Sequence, residues 1–392
     1  MNLISTGFSM GSARVISSHK ASTHFFLNFH KLIISKIPLN TLTFPFGFSS
    51  HRSLTTKQRR FGTNIKSLNK YDTDGNSSTT SFTWDDVSEF ELNDHSTLQG
   101  FFDKVHLNNR NSDKQCEFMP FVIEDQIVGF VHHGFADHLK EFKDVFIFHK
   151  DNSQSDQVSN VTLHKNLTTP EGRTRAVADV IKCLGKELIP GIRNELYPVT
   201  PFHGAPALFA MERAAAPYFG IKAYGVHMNG YVERDGKKFL WVGKRSNLKP
   251  TYPGMLDHLA AGGLPHGTSC QENLIKECEE EAGIPPSISV KARPVGAVSC
   301  IDINGFRYKR DVLFCYDLKL PESFYPKNED GEVDSFKLIP VSHVANIIRR
   351  THFFKANCSL VIMDFFFRHG YIKPESFGYL KLLQSLRNGD CS

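Results

Sequence analysis

Apolar positions along this chain change period repeatedly, and each change predicts an element. Residues Phe121 to Val131 place two apolar runs around a polar pair, the pattern of a β-hairpin. Val145 to Phe148 and Val158 to Leu163 predict two more strands, and His132 and His133, expected on opposite faces of a strand, make no metal pair. Thr169-Pro170-Glu171 has the form of a helix start, because a proline in the first turn forfeits no helical hydrogen bond. Ala176, Val177, Val180, Ile181, Leu184 and Leu188 then keep a helical stripe. Further on, Tyr224 to Val232 and Lys238 to Lys244 predict strands joined through Arg234, Asp235 and Gly236. Val290 to Ile303 and Phe306 to Leu318 flank Asn304-Gly305, a pair that accepts the positive φ angles of a type I′ turn, so an antiparallel hairpin is expected. Phe336 to Ile339 predicts a strand, Ser342 caps a helix reaching Arg349, Ser359 to Arg368 forms a buried helix ended by Gly370, and Pro374 opens the last helix. Strands and helices intermix without a repeat, which makes this an α+β chain.

One stretch, Gly262 to Ile284, combines a glycine turn, a capped helix and clustered carboxylates. Thr268 or Ser269 is followed three residues later by Gln271 or Glu272, a capping-box pattern, and Gly283 with Pro285 and Pro286 is a stop signal. The helix is therefore expected over about Ser269 to Ala282. At about 100° per residue, Gln271, Leu274, Ile275, Cys278 and Ala282 share one side, while Glu277, Glu280 and Glu281 crowd a neighbouring arc. Like charges at that spacing repel by a few tenths of a kcal/mol per pair, and Lys276 relieves only part of it, so a bound cation is expected. Oxygen ligands alone favour Mg²⁺ or Mn²⁺ over zinc.

The stretch resembles the Nudix box: Gly262 takes its first glycine, Glu277 the glutamate after the basic residue, Cys278 the aliphatic position, Glu280 and Glu281 the acidic pair, and Gly283-Ile284 its end. Two positions depart, Thr268 standing for a glutamate and Lys276 for an arginine, so a bidentate clamp becomes a point charge. The resemblance implies an α/β/α sandwich with a mixed sheet, and metal-dependent hydrolysis of a phosphoanhydride in a small organic diphosphate. Glu277, Glu280 and Glu281 are then both the metal ligands and the catalytic set. Nudix enzymes often take the general base from outside the box; Glu332 and Asp334 are candidates for it, or residues of a solvated loop. Lys244, Arg245 and Lys249 precede the box and are candidate phosphate contacts or ordinary surface charge. Trp241 either stacks on a substrate ring or belongs to the core, and His258 and His266, lacking paired ligand spacing, are expected to support the site rather than bind metal.

Residues Phe82 to Ala216 offer no metal or nucleophile motif of their own. Together with Met211 to Gly220 they resemble the domain preceding the Nudix domain in plant plastid Nudix hydrolases and in fungal proteins related to thiamin pyrophosphokinase, a likeness spanning Phe82 to Leu386. Proteins of that kind are associated with hydrolysis of thiamin diphosphate and its oxidised analogues. The alternatives are an ADP-ribose or other nucleoside diphosphate derivative as substrate, or a non-catalytic Nudix-fold sensor. The region before the box is expected either to shape the pocket or to serve packing or homodimerisation.

Charge changes the picture only at the amino terminus. Ten of the 46 basic residues precede Asp72, the first acidic residue, and Ser and Thr recur among them, a transit-peptide composition. Without those ten, 36 basic residues face 41 acidic ones and the formal charge of +5 becomes −5, which speaks against a nucleic-acid-binding domain. The apolar bursts near Phe25 and Ile33 are too interrupted to span a membrane. The eight cysteines form no C-x-x-C pair and are expected to be buried reduced thiols. The expected layout is a plastid leader and linker over 1–71, with mitochondrial import as the competing destination, an α+β domain over 82–216, the Nudix domain over 217–370 and a C-terminal helix and tail over 371–392.

Overall fold

A computed structural model of the protein describes residues 82–89, 97–150, 158–389 and 391, so the expected leader and linker lie outside the described residues. Two short helices come first, α1 (Trp84–Ser88) and α2 (Gln99–Asn108). A body built on strands β1 (Phe118–Ile123), β2 (Gln126–His132), β3 (Phe146–Lys150) and β4 (Val158–Leu163) follows, ordered β2-β1-β4-β3. The β1–β2 turn is made by Glu124 and Asp125, both at positive φ, which is the hairpin expected from the polar pair. Helix α3 (His133–Leu139) starts where β2 ends, so His132 is no mid-strand residue: its Nδ1 accepts from the Gly134 N–H at 2.9 Å as a helix cap. Helix α4 (Pro170–Leu188), capped by Thr169 with Pro170 in its first turn, packs its Val177, Val180 and Ile181 stripe into the same core. The hairpin β5 (Leu196–Val199) and β6 (Phe209–Glu212) leads out of this body.

The second body is a seven-stranded mixed sheet. Its strands are β7 (Lys222–Arg234), β8 (Lys237–Arg245), the short β9 (Leu256–Asp257) and β10 (Ala260–Gly263), and then β11 (Arg293–Asn304), β12 (Arg307–Lys319) and β13 (Val333–Pro340). The order is β11-β12-β7-β8-β13, with β10 paired to β7 and β9 to β8; β7 and β12 run parallel and the other pairs antiparallel. The β11–β12 hairpin forms as expected but its turn falls one residue later: Gly305, at φ +53°, and Phe306 make it, while Asn304 ends β11 opposite Arg307 and is not at positive φ, so this is not the type I′ pair the sequence suggested. Helices α5 (Cys270–Ala282) and α6 (Pro286–Ser289) lie after β10; α7 (Val341–Arg350), α8 (Ala356–Arg368) and α9 (Tyr379–Ser385) complete the chain.

Alternation along β7 separates two cores. Val226 and Met228 face α5, packing with Leu274, Cys278 and Ala282, whereas Tyr231 joins the core under α7 and α8. Phe101 and Val105 of α2 sit in that second core, with Phe101 against Phe366 at 6.0 Å between ring centroids. The first two helices, expected with the N-terminal body, thus pack on the second one. Lys104 and Thr351, 247 residues apart, are joined by a 2.6 Å hydrogen bond.

Three helix starts differ from the sequence expectation, α8 beginning at Ala356 rather than Ser359. Pro340, not Ser342, is the N-cap of α7, and Gly378 at φ +87° precedes α9 while Pro374 stays in a turn. Of the cysteines, Cys278, Cys300, Cys315 and Cys358 are buried thiols, whereas Cys116, Cys183 and Cys391 are exposed. Among the described residues no helix is long and apolar enough to cross a membrane.

Candidate active site

The site is assembled by β10, the turn after it, and α5. Strand β10 pairs antiparallel with β7, Gly262 opposite Val226, and Leu264 N–H donates to Tyr224 O at 2.8 Å, so the turn leaves the sheet in a fixed direction. Ser269 caps α5: its hydroxyl accepts from Glu272 N–H while Glu272 receives the Ser269 N–H at 3.0 Å. A cap of this kind contributes about 1 kcal/mol. Leu274, essentially inaccessible in the core beneath, adds roughly 1.5–3 kcal/mol of burial. At the other end Gly283 is left-handed, at φ +61°, and Ile284 N–H returns to Cys278 O at 2.9 Å. Lys327 N–H also caps this end, donating to Ala282 O at 3.0 Å, which draws the segment before β13 towards the acidic arc.

Glu281 is buried and accepts the Ala261 N–H at 2.8 Å, tying the helix to β10. Burial and the nearby Asp257 push its carboxyl well above the ordinary range, against the Ala261 hydrogen bond and Lys355. Glu277 is half-buried against Gly262, where a Cβ would lie 2.3 Å from its carboxyl carbon and oxygen. That position needs glycine for a close approach, and φ has no part in it. Burial raises the Glu277 carboxyl too, with Glu280 and Glu332 adding to the effect and Lys276 opposing it. Glu280 is exposed and takes a hydrogen bond from Lys276 Nζ at 2.6 Å, while the same Nζ stands 3.6 Å from Glu277. Glu277 thus stands between the other two, its charge acting on Glu281 while Glu280 acts on it, and Lys276 bridges Glu277 and Glu280. Glu279 is exposed and has no such neighbours among the described contacts.

The basic residues ahead of the box do not converge with them. Lys244 donates to Phe82 O at 2.8 Å and lies 5.2 Å over the Phe82 ring. Arg245, next in the same strand and so on its other face, is buried: it donates to Asp257 at 2.7 Å and to the Thr251 and Tyr252 carbonyls at 3.1 Å each. Lys249 pairs with Glu332. Of the two acids outside the helix, Glu332 adds its charge to Glu277, whereas Asp334 accepts from the Ser335 hydroxyl at 3.1 Å. Trp241 belongs to the core on the α5 side, and His266 N–H reaches back to Leu196 O at 2.8 Å. His258 is buried beside Asp257 and His227.

Sequence reasoning missed a contribution from the N-terminal body. The Tyr197 hydroxyl stands so close to Gly263 that a Cβ there would lie 2.0 Å from it, and Arg213 lies 5.4 Å over the Tyr197 ring. Exposed His203 packs on two rings of the catalytic sheet, 5.0 Å from Tyr224 and 4.7 Å from Phe314. No local spacing announces these residues, because their partners come from another body; the pairing exists only once β5 and β6 fold over the turn.

The mixed sheet, with a turn and helix that set Glu277 and Glu281 against the glycine strand and leave Glu280 beside them on the exposed side, has the build of a hydrolase of the phosphoanhydride-cleaving class. Residues 224–357 match the NUDIX domain, and residues 100–223 match a domain of unknown function, DUF4743. The chain is 66% identical over 316 residues to Nudix hydrolase 20, chloroplastic, of Arabidopsis thaliana, covering 80% of this chain and 84% of that protein. It is 61% identical over 318 residues to Nudix hydrolase 24, chloroplastic, of the same plant, covering 80% and 86%. An uncharacterized protein of Saccharomyces cerevisiae is 40% identical over 212 residues, covering 50% of this chain and 60% of that one. The chain belongs to the Nudix hydrolases, a family that generally uses a divalent metal such as Mg²⁺.

Proposed function

We propose that the protein is a plastid hydrolase, dependent on Mg²⁺ or Mn²⁺, that cleaves a phosphoanhydride bond in an organic diphosphate, with thiamin diphosphate or its oxidised analogues as preferred substrates. The observation that carries the metal-dependent chemistry is the arc of Glu277, Glu280 and Glu281, two of them buried or half-buried, with Glu277 within reach of the charge of both others. Oxygen donors that repel one another and are partly out of water fit a hard divalent cation. Glu277, Glu280 and Glu281 would hold that ion, which supplies neutralisation of bridging phosphate oxygens and a more acidic bound water. Glu332, whose charge already acts on Glu277, is assigned the proton of the attacking water. Arg245 can reach a phosphate only by abandoning Asp257, so its part is to hold the loop before β9.

The N-terminal body supports a ring-bearing substrate rather than a purely structural or dimerising role. Tyr197 and Arg213 stand beside Gly263, and exposed His203, packed on the Tyr224 and Phe314 rings, offers the accessible face on which a flat heteroaromatic ring would stack. The chloroplast naming of both plant relatives and the basic leader support a plastid location, which we take to be the stroma.

The test compares kcat/KM for phosphate release from oxidised thiamin diphosphate with that for cleavage of ADP-ribose, in Mg²⁺. At least a tenfold preference for the thiamin compound is expected, about 1.4 kcal/mol, and His203→Ala should reduce it. Preference for ADP-ribose over every thiamin compound would transfer the substrate assignment to nucleoside diphosphate derivatives. Binding of either compound without turnover would make the protein a sensor.

A further inference from the structure

On the face of the sheet opposite α5 lies a second set of chemistry-bearing side chains. One ring nitrogen each from His227 and His258, with Cys358 Sγ, lie within 4.8 Å of one another, and all three residues are buried. The residues come from three separate elements: β7, the link between β9 and β10, and the first turn of α8. The two imidazoles meet edge to face, 5.1 Å between centroids. His227 Nδ1 and His258 Nε2 are both sealed from solvent with no hydrogen-bond partner. Leaving a buried polar atom unpaired costs roughly 1–3 kcal/mol each, so two orphaned imidazole nitrogens beside a buried thiol call for a partner.

We propose that His227, His258 and Cys358 form a structural site for a borderline transition metal of the zinc class, separate from the glutamate arc. Two imidazoles and a thiolate suit that class and not Mg²⁺, which takes oxygen. Binding replaces the S–H bond of Cys358 by a metal–sulfur bond and releases the proton to solvent. Asp257 Oδ1, 2.7 Å from Cys358 Sγ, is the nearest candidate for a fourth ligand. Its other oxygen stays with Arg245 at 2.7 Å and Lys355 at 3.3 Å, so the two neighbouring cations are partly answered before any metal arrives. The site would fasten α8 to β7 and to the segment entering β10, whose Ala261 holds Glu281. It would thus stiffen the floor under the catalytic helix without touching substrate.

The purified, reduced full chain, passed through a metal-free column, should retain about one equivalent of zinc by plasma mass spectrometry. X-ray absorption at the zinc edge should show one sulfur and imidazole nitrogens in the shell. Exchange with Co²⁺ should give a near-ultraviolet sulfur-to-cobalt charge-transfer band that Cys358→Ser abolishes and Cys300→Ser, a buried thiol away from the cluster, retains. Glu281→Gln should leave the zinc content unchanged. The proposal is overturned if the folded wild type keeps less than about a tenth of an equivalent of any transition metal, or if the bound metal has an all-oxygen shell. Because both of those measurements use the wild type, a Cys358→Ser protein that does not fold leaves the decision intact.

Discussion

Replacing Glu281 with glutamine separates catalysis from folding at a single atom. The amide oxygen can still accept the Ala261 N–H, now 2.8 Å from the carboxylate, so the tie between α5 and β10 survives. What disappears is the buried negative charge that the proposed function assigns to the cation. Loss of one electrostatic contact to a developing charge costs roughly a hundredfold to a thousandfold in kcat, about 3–4 kcal/mol. Stability should move the other way. A carboxyl whose folded pKa lies above its unfolded value contributes its stability below the unfolded value and loses it as pH rises through the folded one. The Glu281 carboxyl is raised in this way by burial and by Asp257, so metal-free wild type should lose stability from mildly acid pH upward while the variant does not share that loss. A difference of about 1 kcal/mol would appear as roughly 2–4 °C in Tm near neutrality and vanish in acid. Mg²⁺ should then stabilise the wild type more than the variant. The assays are steady-state hydrolysis at saturating Mg²⁺ and Tm against pH with and without metal, with Glu279→Gln, on the exposed side of the helix, as the control that stays near wild type. Near wild-type turnover of Glu281→Gln, or a Tm difference that is the same in acid and at neutrality, would refute the reasoning; equal losses at 279 and 281 would mean that the wrong helix face was chosen.

Gly262→Ala puts a methyl group where the Glu277 carboxyl now rests, and overpacking of that kind costs about 1–3 kcal/mol; kcat should fall and the Mg²⁺ requirement rise, as a Mg²⁺ titration of activity would show. Arg245→Met breaks a buried pair with Asp257, so it should lower stability by roughly 3–5 kcal/mol in denaturant unfolding; an unchanged Tm with a raised KM would return Arg245 to phosphate binding. A fluorescent reporter carrying residues 1–71 should enter plastids and a chain starting at Phe82 should stay in the cytosol, with mitochondrial import the outcome that redirects the assignment and cytosolic retention the one that rejects a leader.

What could be read from the sequence was whatever neighbouring residues decide among themselves. The Glu124-Asp125 turn, the capping box of Ser269 and Glu272, and the left-handed stop at Gly283 are local events, and the structure repeats them, whereas the β11–β12 turn falls on Gly305-Phe306 and not on Asn304-Gly305. The glutamate arc follows from helical spacing alone. Lys244, Arg245 and Lys249 show the limit: their clustering in sequence suggested a shared anion, yet Lys244 and Arg245 leave opposite faces of β8 and find Phe82 and Asp257. Pro340 took over the start of α7 from Ser342 because the chain turns directly out of β13, a fact that depends on where that strand pairs. The contact of Tyr197 with Gly263 likewise depends on two bodies meeting, and no periodicity within either one encodes it.

The placement of α1 and α2 has a consequence for how the chain acquires its structure. Phe82 stacks on Phe353 at 4.2 Å, Trp84 Nε1 reaches Ser335 at 3.0 Å across 251 residues, and the Val87 carbonyl meets His343 at 2.9 Å across 256 residues. These are among the first described residues, and their partners lie beyond residue 330 in β13, α7 and the link to α8. During synthesis, α1 and α2 must wait for α7 and α8 to emerge, while the N-terminal body between them, whose β1–β4 core draws on residues 119–221, can collapse early. Long loops of this kind are closed late and slowly. The apolar face of α2 therefore stays exposed for most of the chain's emergence, and refolding should show an early phase reporting the N-terminal body and a slower one in which both ends of the chain arrive together.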